Sequence, residues 1–353
     1  MKIHQVLPCL SYGDAIGNHT LEIQRILRRW GYESSIFADD IHEAMRPFAK
    51  SYTRLKGREL RDAVLMYHFS VGSPVSDFVK ALPNRKILIY HNITPGDFFR
   101  GYEESIRDVL EQGRKELLDF VDLCETAVGD SEFNRLELEA LGFPHSSVLP
   151  IILDFDKYTR QPDKKVLERY QDGQRNIIFV GRLAPNKRQE DIIHAFALYK
   201  RYVNSASRLL LIGAGGIERY DLMLDEFIRG LALDDVHITG RVSDDELAAY
   251  YQVADLLLCM SEHEGFCVPM VEAMYSDLPI LACHSTSIPY TLGESGVLIH
   301  EKCYEKIAEM IDLMIENQAF RQGILKAQRR RFSYFKRDHV EQILKRVLAQ
   351  LGL

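Results

Sequence analysis

The sharpest chemical signal in the sequence is residues 261–272, SEHEGFCVPMVE. Glu264 precedes Gly265, and Pro269 suits the first turn of a helix, where a missing N–H costs nothing. Glu272 then falls just inside that helix. Two carboxylates after an apolar run (LLLC) can accept hydrogen bonds from the hydroxyls of a sugar or a ribose. Favourable charge at a helix start accounts for Glu272 but not for Glu264 in a glycine turn. Residues 181–187, GRLAPNK, follow the apolar run NIIFV and set Arg182 and Lys187 at a strand's carboxyl end. A guanidinium fork and an ammonium point charge suit a diphosphate, with solvated surface cations as the plain alternative.

Other segments carry weaker signals. In residues 8–18, PCLSYGDAIGN, Gly13 and Gly17 permit tight turns and close backbone approach before a helix start that attracts anions. In YHNITP, His91 ends a candidate strand and offers a base, an orienter or a donor, where a structural histidine is the alternative. In GDSEFNR, Ser131 reads as a helix cap with Asn134 three residues on. Gly213 to Gly216, GAGG, lacks the third glycine of a dinucleotide turn, because position 218 is Glu. Asp154, Phe155 and Asp156 form a D-x-D, the pattern of metal–diphosphate sites, inside a stretch that reads as a linker.

Positioning these residues requires strands that alternate with helices. Candidate strands at 3–7, 34–37, 63–69, 86–91, 125–129 and 147–149 are separated by helical stretches such as 19–30 and 103–122. In the first of these, Leu21, Ile23, Ile26, Leu27 and Trp30 form a helical stripe. Residues 150–175, with Pro150, Pro162 and Gly173, read as an interdomain linker. A second series follows at 176–180, 208–212, 236–239, 254–259, 279–282 and 297–299, and the chain closes in helices near 304–316, 320–332 and 338–351. The pattern predicts two α/β domains with parallel sheets, whose ligands bind at the strands' carboxyl ends and in the cleft between the domains.

Composition bounds the rest. The chain has 353 residues, 46% apolar and 27% charged, with a formal net charge of -7, which fits a globular protein and argues against one that coats nucleic acid. The six cysteines contain no C-x-x-C pair and read as reduced core thiols, so no metal site is expected. Neither a signal peptide nor a membrane-length apolar run is evident, and a cytoplasmic location is expected. Two stretches depart from the acidic balance. Residues 46–61 hold six cations and one anion, and residues 321–346 hold nine cations and two anions. Peripheral contact with an anionic membrane's inner face, or with a lipid-diphosphate acceptor, is one reading, and solvated helix faces are the other.

Together these segments resemble the retaining glycosyltransferases of family 4, the glycosyl transferases group 1, which have the GT-B fold. Glu264 and Glu272 match that family's E-x7-E element, and Gly181, Arg182 and Lys187 match its G-R-x4-K element. The segment ILDFDKY resembles its interdomain joint. The chain departs from the family at Cys267 and Tyr290, where members often have Gly and Glu. The resemblance implies two facing Rossmann-like domains: an acceptor-binding domain at 1–155, a nucleotide-sugar domain at 156–335, and a terminal helix at 336–353 packed on the first. It implies metal-independent transfer of a hexose, from GDP-mannose or a UDP-hexose, to a glycan or lipid-linked acceptor in cell-envelope polysaccharide or glycolipid synthesis. No cofactor is implied. Glu264 would hold donor hydroxyls and Glu272 the ribose, while Arg182 and Lys187 would neutralise the diphosphate. His91 would stand by the reacting sugar, and Gly17 would let backbone approach the phosphates. Gly181, Val242, Gly265, Phe266 and Cys267 complete the expected donor-binding set. An epimerase-like enzyme on the same fold and a non-catalytic sugar-nucleotide-binding protein are the alternatives.

Overall fold

The computed structural model describes residues 1–155 and 161–353. The D-x-D expectation at Asp156 therefore lies outside the described residues, as does the start of the expected second domain.

These residues divide into two units. The first comprises Met1–Asp97, Glu104–Asp154 and Phe335–Leu353, and the second Phe98–Glu103 and Phe155–Tyr334. In the first, strands β1 (Lys2–Leu10), β2 (Ile36–Ile41), β3 (Ala49–Ser51), β4 (Ala63–Phe69), β5 (Lys86–Tyr90), β6 (Thr126–Gly129) and β7 (Ser146–Val148) form a parallel sheet. Their order is β3-β2-β1-β4-β5-β6-β7. Helices α1 (Ala15–Arg29), α2 (Pro74–Ala81), α3 (Glu104–Leu118) and α4 (Glu132–Ala140) connect them. The central strands read as near-continuous apolar runs because both sheet faces are covered; every residue of β4, AVLMYHF, is buried.

The second unit repeats the plan. It holds α5 (Lys164–Tyr170), β8 (Arg175–Val180), α6 (Gln189–Leu198), β9 (Ser207–Ile212), α7 (Glu218–Gly230), β10 (Val236–Gly240), α8 (Asp244–Val253), β11 (Leu256–Cys259), α9 (Val268–Tyr275), β12 (Ile280–Cys283), α10 (Ile288–Leu292), β13 (Val297–Ile299), α11 (Tyr304–Glu316) and α12 (Gln318–Phe332). The sheet order is β10-β9-β8-β11-β12-β13, again parallel. The last helix, α13 (Arg337–Gln350), belongs to the first unit. It buries Val340, Leu344 and Leu348 there and forms ion pairs from Glu341 to Arg29 and from Arg337 to Glu22.

Two readings of the sequence need correction. The linker read at 150–175 contains a helix, α5, because Asp163 accepts from the Val166 N–H at 2.9 Å as its N-cap. Residues 49–51, inside a basic stretch, form the edge strand β3. An edge strand needs only one covered face, so its sequence AKS carries no apolar run.

In both sheets the chain steps outward one way and then reverses. The reversal falls between β1 and β4 in the first unit and between β8 and β11 in the second. In parallel α/β sheets the loops that leave the carboxyl ends of such neighbouring strands diverge and open a crevice for ligand.

Candidate functional site

The loops after β8 and β11 carry the two strongest motifs, so the topology brings them together. Lys187 ends a short helical turn, Pro185–Lys187, and its Nζ lies 2.5 Å from Oε2 of Glu264. The two side chains are only 20% and 10% exposed, so the pair is shielded from water. Backbone contacts hold the loops in register. Buried Asn186 donates from Nδ2 to the His263 carbonyl at 3.0 Å, and its own carbonyl accepts from the Glu262 N–H at 2.9 Å. The loop after β12 adds a third tie: the Glu264 N–H donates to Thr286 Oγ1 at 2.9 Å, and Ser285 donates to the Ser261 carbonyl.

Arg182 is exposed, and among the described residues no carboxylate pairs with it. A loop cation with no partner beside a shielded ion pair is available to an anion. Gly181 and Gly213 explain each other. A Cβ on Gly213 would stand 2.0 Å from the Gly181 oxygen, and Gly213 has φ +150. The GAGG segment thus serves the close approach of the loops after β8 and β9, and the Gly216 N–H donates to Asp221 at 2.9 Å.

Glu272 lies in the second turn of α9, behind Pro269 near the helix start. It is buried, and the Tyr251 hydroxyl donates to its Oε2 at 2.9 Å. Gly265 and Phe266 lead into the helix, where the Phe266 carbonyl accepts from the Thr291 hydroxyl at 2.6 Å. Cys267 caps it in the left-handed region, φ 68. Val242 stands half-buried before the Ser243–Glu246 capping box of α8, with no described tie to the Lys187–Glu264 pair.

All six cysteines are free thiols, as the sequence suggests, and two of them converge on Glu264. Cys259 Sγ, a Glu264 carboxylate oxygen and Cys267 Sγ all lie within 4.8 Å of one another, a grouping that could hold a metal ion. The absence of a C-x-x-C spacing hid it, because the strand and the helix start fold the two thiols onto one point.

In the first unit His91 is buried within a chain of polar groups. Its Nδ1 meets Asp130 at 2.7 Å and its Nε2 meets Nδ1 of His68 at 2.9 Å. His68 Nε2 meets Gln5 Oε1 at 2.9 Å, and Gln5 Nε2 donates to the Thr20 carbonyl at 2.9 Å. That last bond fixes the direction of the others. Gln5 must accept from His68 Nε2–H. Burial, with His91 and His19 nearby, holds His68 well below the ordinary histidine range, so it is neutral and accepts at Nδ1. His91 therefore donates from Nε2, and one further proton is shared between its Nδ1 and Asp130. Burial raises the Asp130 carboxyl, while the facing imidazole lowers it. His19 packs edge-on against both rings, 6.0 and 5.8 Å between centroids, and accepts from the Ile152 N–H at 2.8 Å. With side-chain exposure of 1%, His91 lies beneath the surface.

Gly17 lies in the first turn of α1, where a Cβ would stand 2.6 Å from the Ser11 carbonyl oxygen. Its N–H donates to the capping Asp14 at 3.3 Å. The glycine is thus required by backbone packing in its own loop. Ser131 caps α4 through the Asn134 N–H at 3.3 Å, as its spacing predicts.

Sequence reasoning missed Asn186, Thr286, Tyr251, His68, Asp130 and Gln5. Polar residues inside otherwise apolar strands (Gln5 in β1, His68 in β4) were the available signal, since a buried polar group requires a partner.

Comparison with known proteins gives concordant results. The family model described as glycosyl transferases group 1 matches residues 160–335. The O-antigen chain mannosyltransferase B of Escherichia coli is 25% identical over 244 residues, 67% of this chain and 63% of that protein. The GDP-mannose-dependent alpha-(1-6)-phosphatidylinositol monomannoside mannosyltransferase of Mycobacterium tuberculosis is 25% identical over 201 residues, 53% of this chain and 51% of that protein. The matches thus span less than two thirds of these relatives. Among solved structures, Anabaena HepE in complex with UDP-glucose aligns with a TM-score of 0.76 at 15% identity, over 99% of this chain and 100% of that one. That likeness fixes the fold: two parallel-sheet Rossmann-like domains of GT-B type.

Proposed function

The group 1 glycosyl transferase family model matches residues 160–335, and from that match we propose that the chain is a retaining hexosyltransferase that uses GDP-mannose. The observation that carries the reading is the shielded Lys187–Glu264 pair at the switch point between β8 and β11, with the exposed Arg182 on the same loop as Lys187. The names of the mannosyltransferase relatives favour mannose and GDP over other donors.

In the proposed reaction, negative charge grows on the diphosphate as the bond to the sugar's anomeric carbon breaks. Arg182 and Lys187 are cations set in advance on a tied-down loop, which is the efficient way to stabilise developing charge. We assign this neutralisation to them and not to a metal or cofactor. Glu264, held by Lys187 at one oxygen, keeps acceptor capacity for the donor's hydroxyls and so fixes the sugar's pose. Glu272 is assigned to the ribose, with Tyr251 orienting it. Gly181, Val242, Gly265, Phe266 and Cys267 are assigned to the walls of the donor site. His91, whose two ring nitrogens are already engaged by Asp130 and His68, is assigned to the sugar's side of the reaction as a positioning group, and Gly17 to the loop beside it. The acceptor is a glycan or lipid-linked hydroxyl in polysaccharide or glycolipid synthesis.

The test is a screen of GDP-mannose, UDP-glucose, ADP-glucose and dTDP-glucose in chelator-treated buffer. Calorimetry reads binding and nucleotide diphosphate release reads turnover. GDP-mannose is expected to bind and to release GDP slowly without acceptor. Turnover with a different base would correct the donor, and no binding by a folded sample would sink the transferase reading. A cytoplasmic location with peripheral membrane contact belongs to the same proposal. No helix among the described residues is long and apolar enough to cross a membrane. Residues 46–61 are the better candidate surface, because in 321–346 Arg321, Arg329, Arg331 and Arg337 already bond within the fold. Co-sedimentation with anionic vesicles at low salt, lost on reversing Arg46 and Arg54, is the expected result.

A further inference from the structure

Cys259 closes β11, Cys267 opens α9, and the loop between them carries Glu264. Their three donor atoms lie within 4.8 Å of one another. A tetrahedral ion with metal–sulfur bonds of about 2.3 Å and a metal–oxygen bond of about 2.0 Å separates its ligand atoms by roughly 3.5–3.8 Å. The group therefore needs a contraction of at most about 1 Å to close around such an ion. Cys267 also occupies the left-handed region, φ 68 and ψ 67, which is unfavourable for a residue with a Cβ. The fold thus holds this thiol against the Cys259 sulfur at a backbone position that favours glycine.

We propose that Cys259, Cys267 and Glu264 form a site for a thiophilic divalent cation, Zn²⁺ foremost, with a fourth position open. Two thiols and one carboxylate match zinc and not Mg²⁺ or Mn²⁺, which prefer all-oxygen sets. On binding, both thiols release their protons to solvent. Two thiolates, one carboxylate and one divalent ion sum to a charge of minus one, and the Lys187 ammonium already at Glu264 Oε2 balances it. Because the ion takes the carboxylate assigned above to the donor's hydroxyls, its occupancy excludes the donor sugar. That consequence rests on the proposed donor role, whereas the metal site does not.

The experiment titrates the reduced, chelator-stripped full chain with Co²⁺ and Cd²⁺ by absorption, then displaces them with Zn²⁺. One equivalent is expected to give the thiolate-to-metal charge-transfer band and, for Co²⁺, the visible bands of a tetrahedral ion. Zn²⁺ should abolish both, and Mg²⁺ should not. Cys259→Ser and Cys267→Ser should each weaken binding by at least about tenfold, and Glu264→Gln should weaken it while keeping the thiolate band. Should either cysteine variant fail to fold, alkylation mapped by mass spectrometry on the unmodified chain serves instead: Zn²⁺ should protect Cys259 and Cys267 selectively. No band in the reduced protein, or protection of other cysteines only, would overturn the site. Zn²⁺ should also inhibit nucleotide release from GDP-mannose, with recovery on adding chelator. A band without any donor turnover would leave the site standing and sink the donor reading; turnover without a band would do the reverse.

Discussion

At the scale of single residues, most of the candidate chemistry depends on partners that no motif displays. Glu264 is legible in the sequence, but its tie to Lys187 comes from the adjacency of β8 and β11, and Asn186 does the stitching from inside GRLAPNK. We expect Glu264→Ala to lower nucleotide release at least ~100-fold with an unchanged circular dichroism spectrum, as befits a preorganised charge. Full activity in that variant would remove Glu264 from the mechanism. His91 illustrates the opposite case, since its position was legible and its surroundings were not. His68, Gln5 and Asp130 come from separate strands and loops and converge only in three dimensions. Burial holds His19 and His68 well below the ordinary histidine range, so the unfolded chain binds more protons than the folded one below pH ~6.5. Asp130 opposes this, because its raised carboxyl takes up a proton in the folded state. Stability is therefore expected to fall on acidification from pH 6.5 to 5, by about 1.4–2.8 kcal/mol per pH unit. Urea unfolding across that range checks the sign; stability that rose toward pH 5 would show the histidines to be protonated in the fold.

At the scale of elements, the strands were legible because their two-sided burial leaves an apolar run, as in β4 and β11. Short or edge elements were not. The strand β3 is polar and brief, and α5 looked like linker because its helical signal spans two turns. GAGG lacks the spacing of a dinucleotide turn, and Gly213 is needed instead where the loops after β8 and β9 nearly touch. Gly213→Ala is expected to cost about 2–3 kcal/mol or more, a fall of several degrees in the second unit's unfolding temperature. Gly216→Ala is the control: φ is equally positive at +148, but no atom lies within 4 Å of the added Cβ, so only backbone strain of about 1 kcal/mol applies. Equal effects from both variants would refute the crowding argument.

At the scale of the whole molecule, the first unit is built from chain segments at both extremes of the described sequence. Its helix α13 buries Val340, Leu344, Val347 and Leu348. At about 1.5–3 kcal/mol per buried side chain, these four contribute roughly 6–12 kcal/mol, on the scale of a domain's entire stability. Deleting residues 336–353 is therefore expected to unfold the first unit, seen as loss of hydrogen-exchange protection in β1 and α1 while β8 to β13 stay protected. Retained protection in β1 would show that α13 is an accessory.

That arrangement bears on synthesis. The sheet of the first unit leaves the ribosome by Asp154, but its closing segment begins at Phe335. At translation rates of roughly 5–20 residues per second, the intervening stretch of about 180 residues keeps the nascent sheet waiting for some 10–40 s. During that interval the surface that α13 will cover is exposed, and a chaperone that shields apolar strand–helix layers would meet its client there.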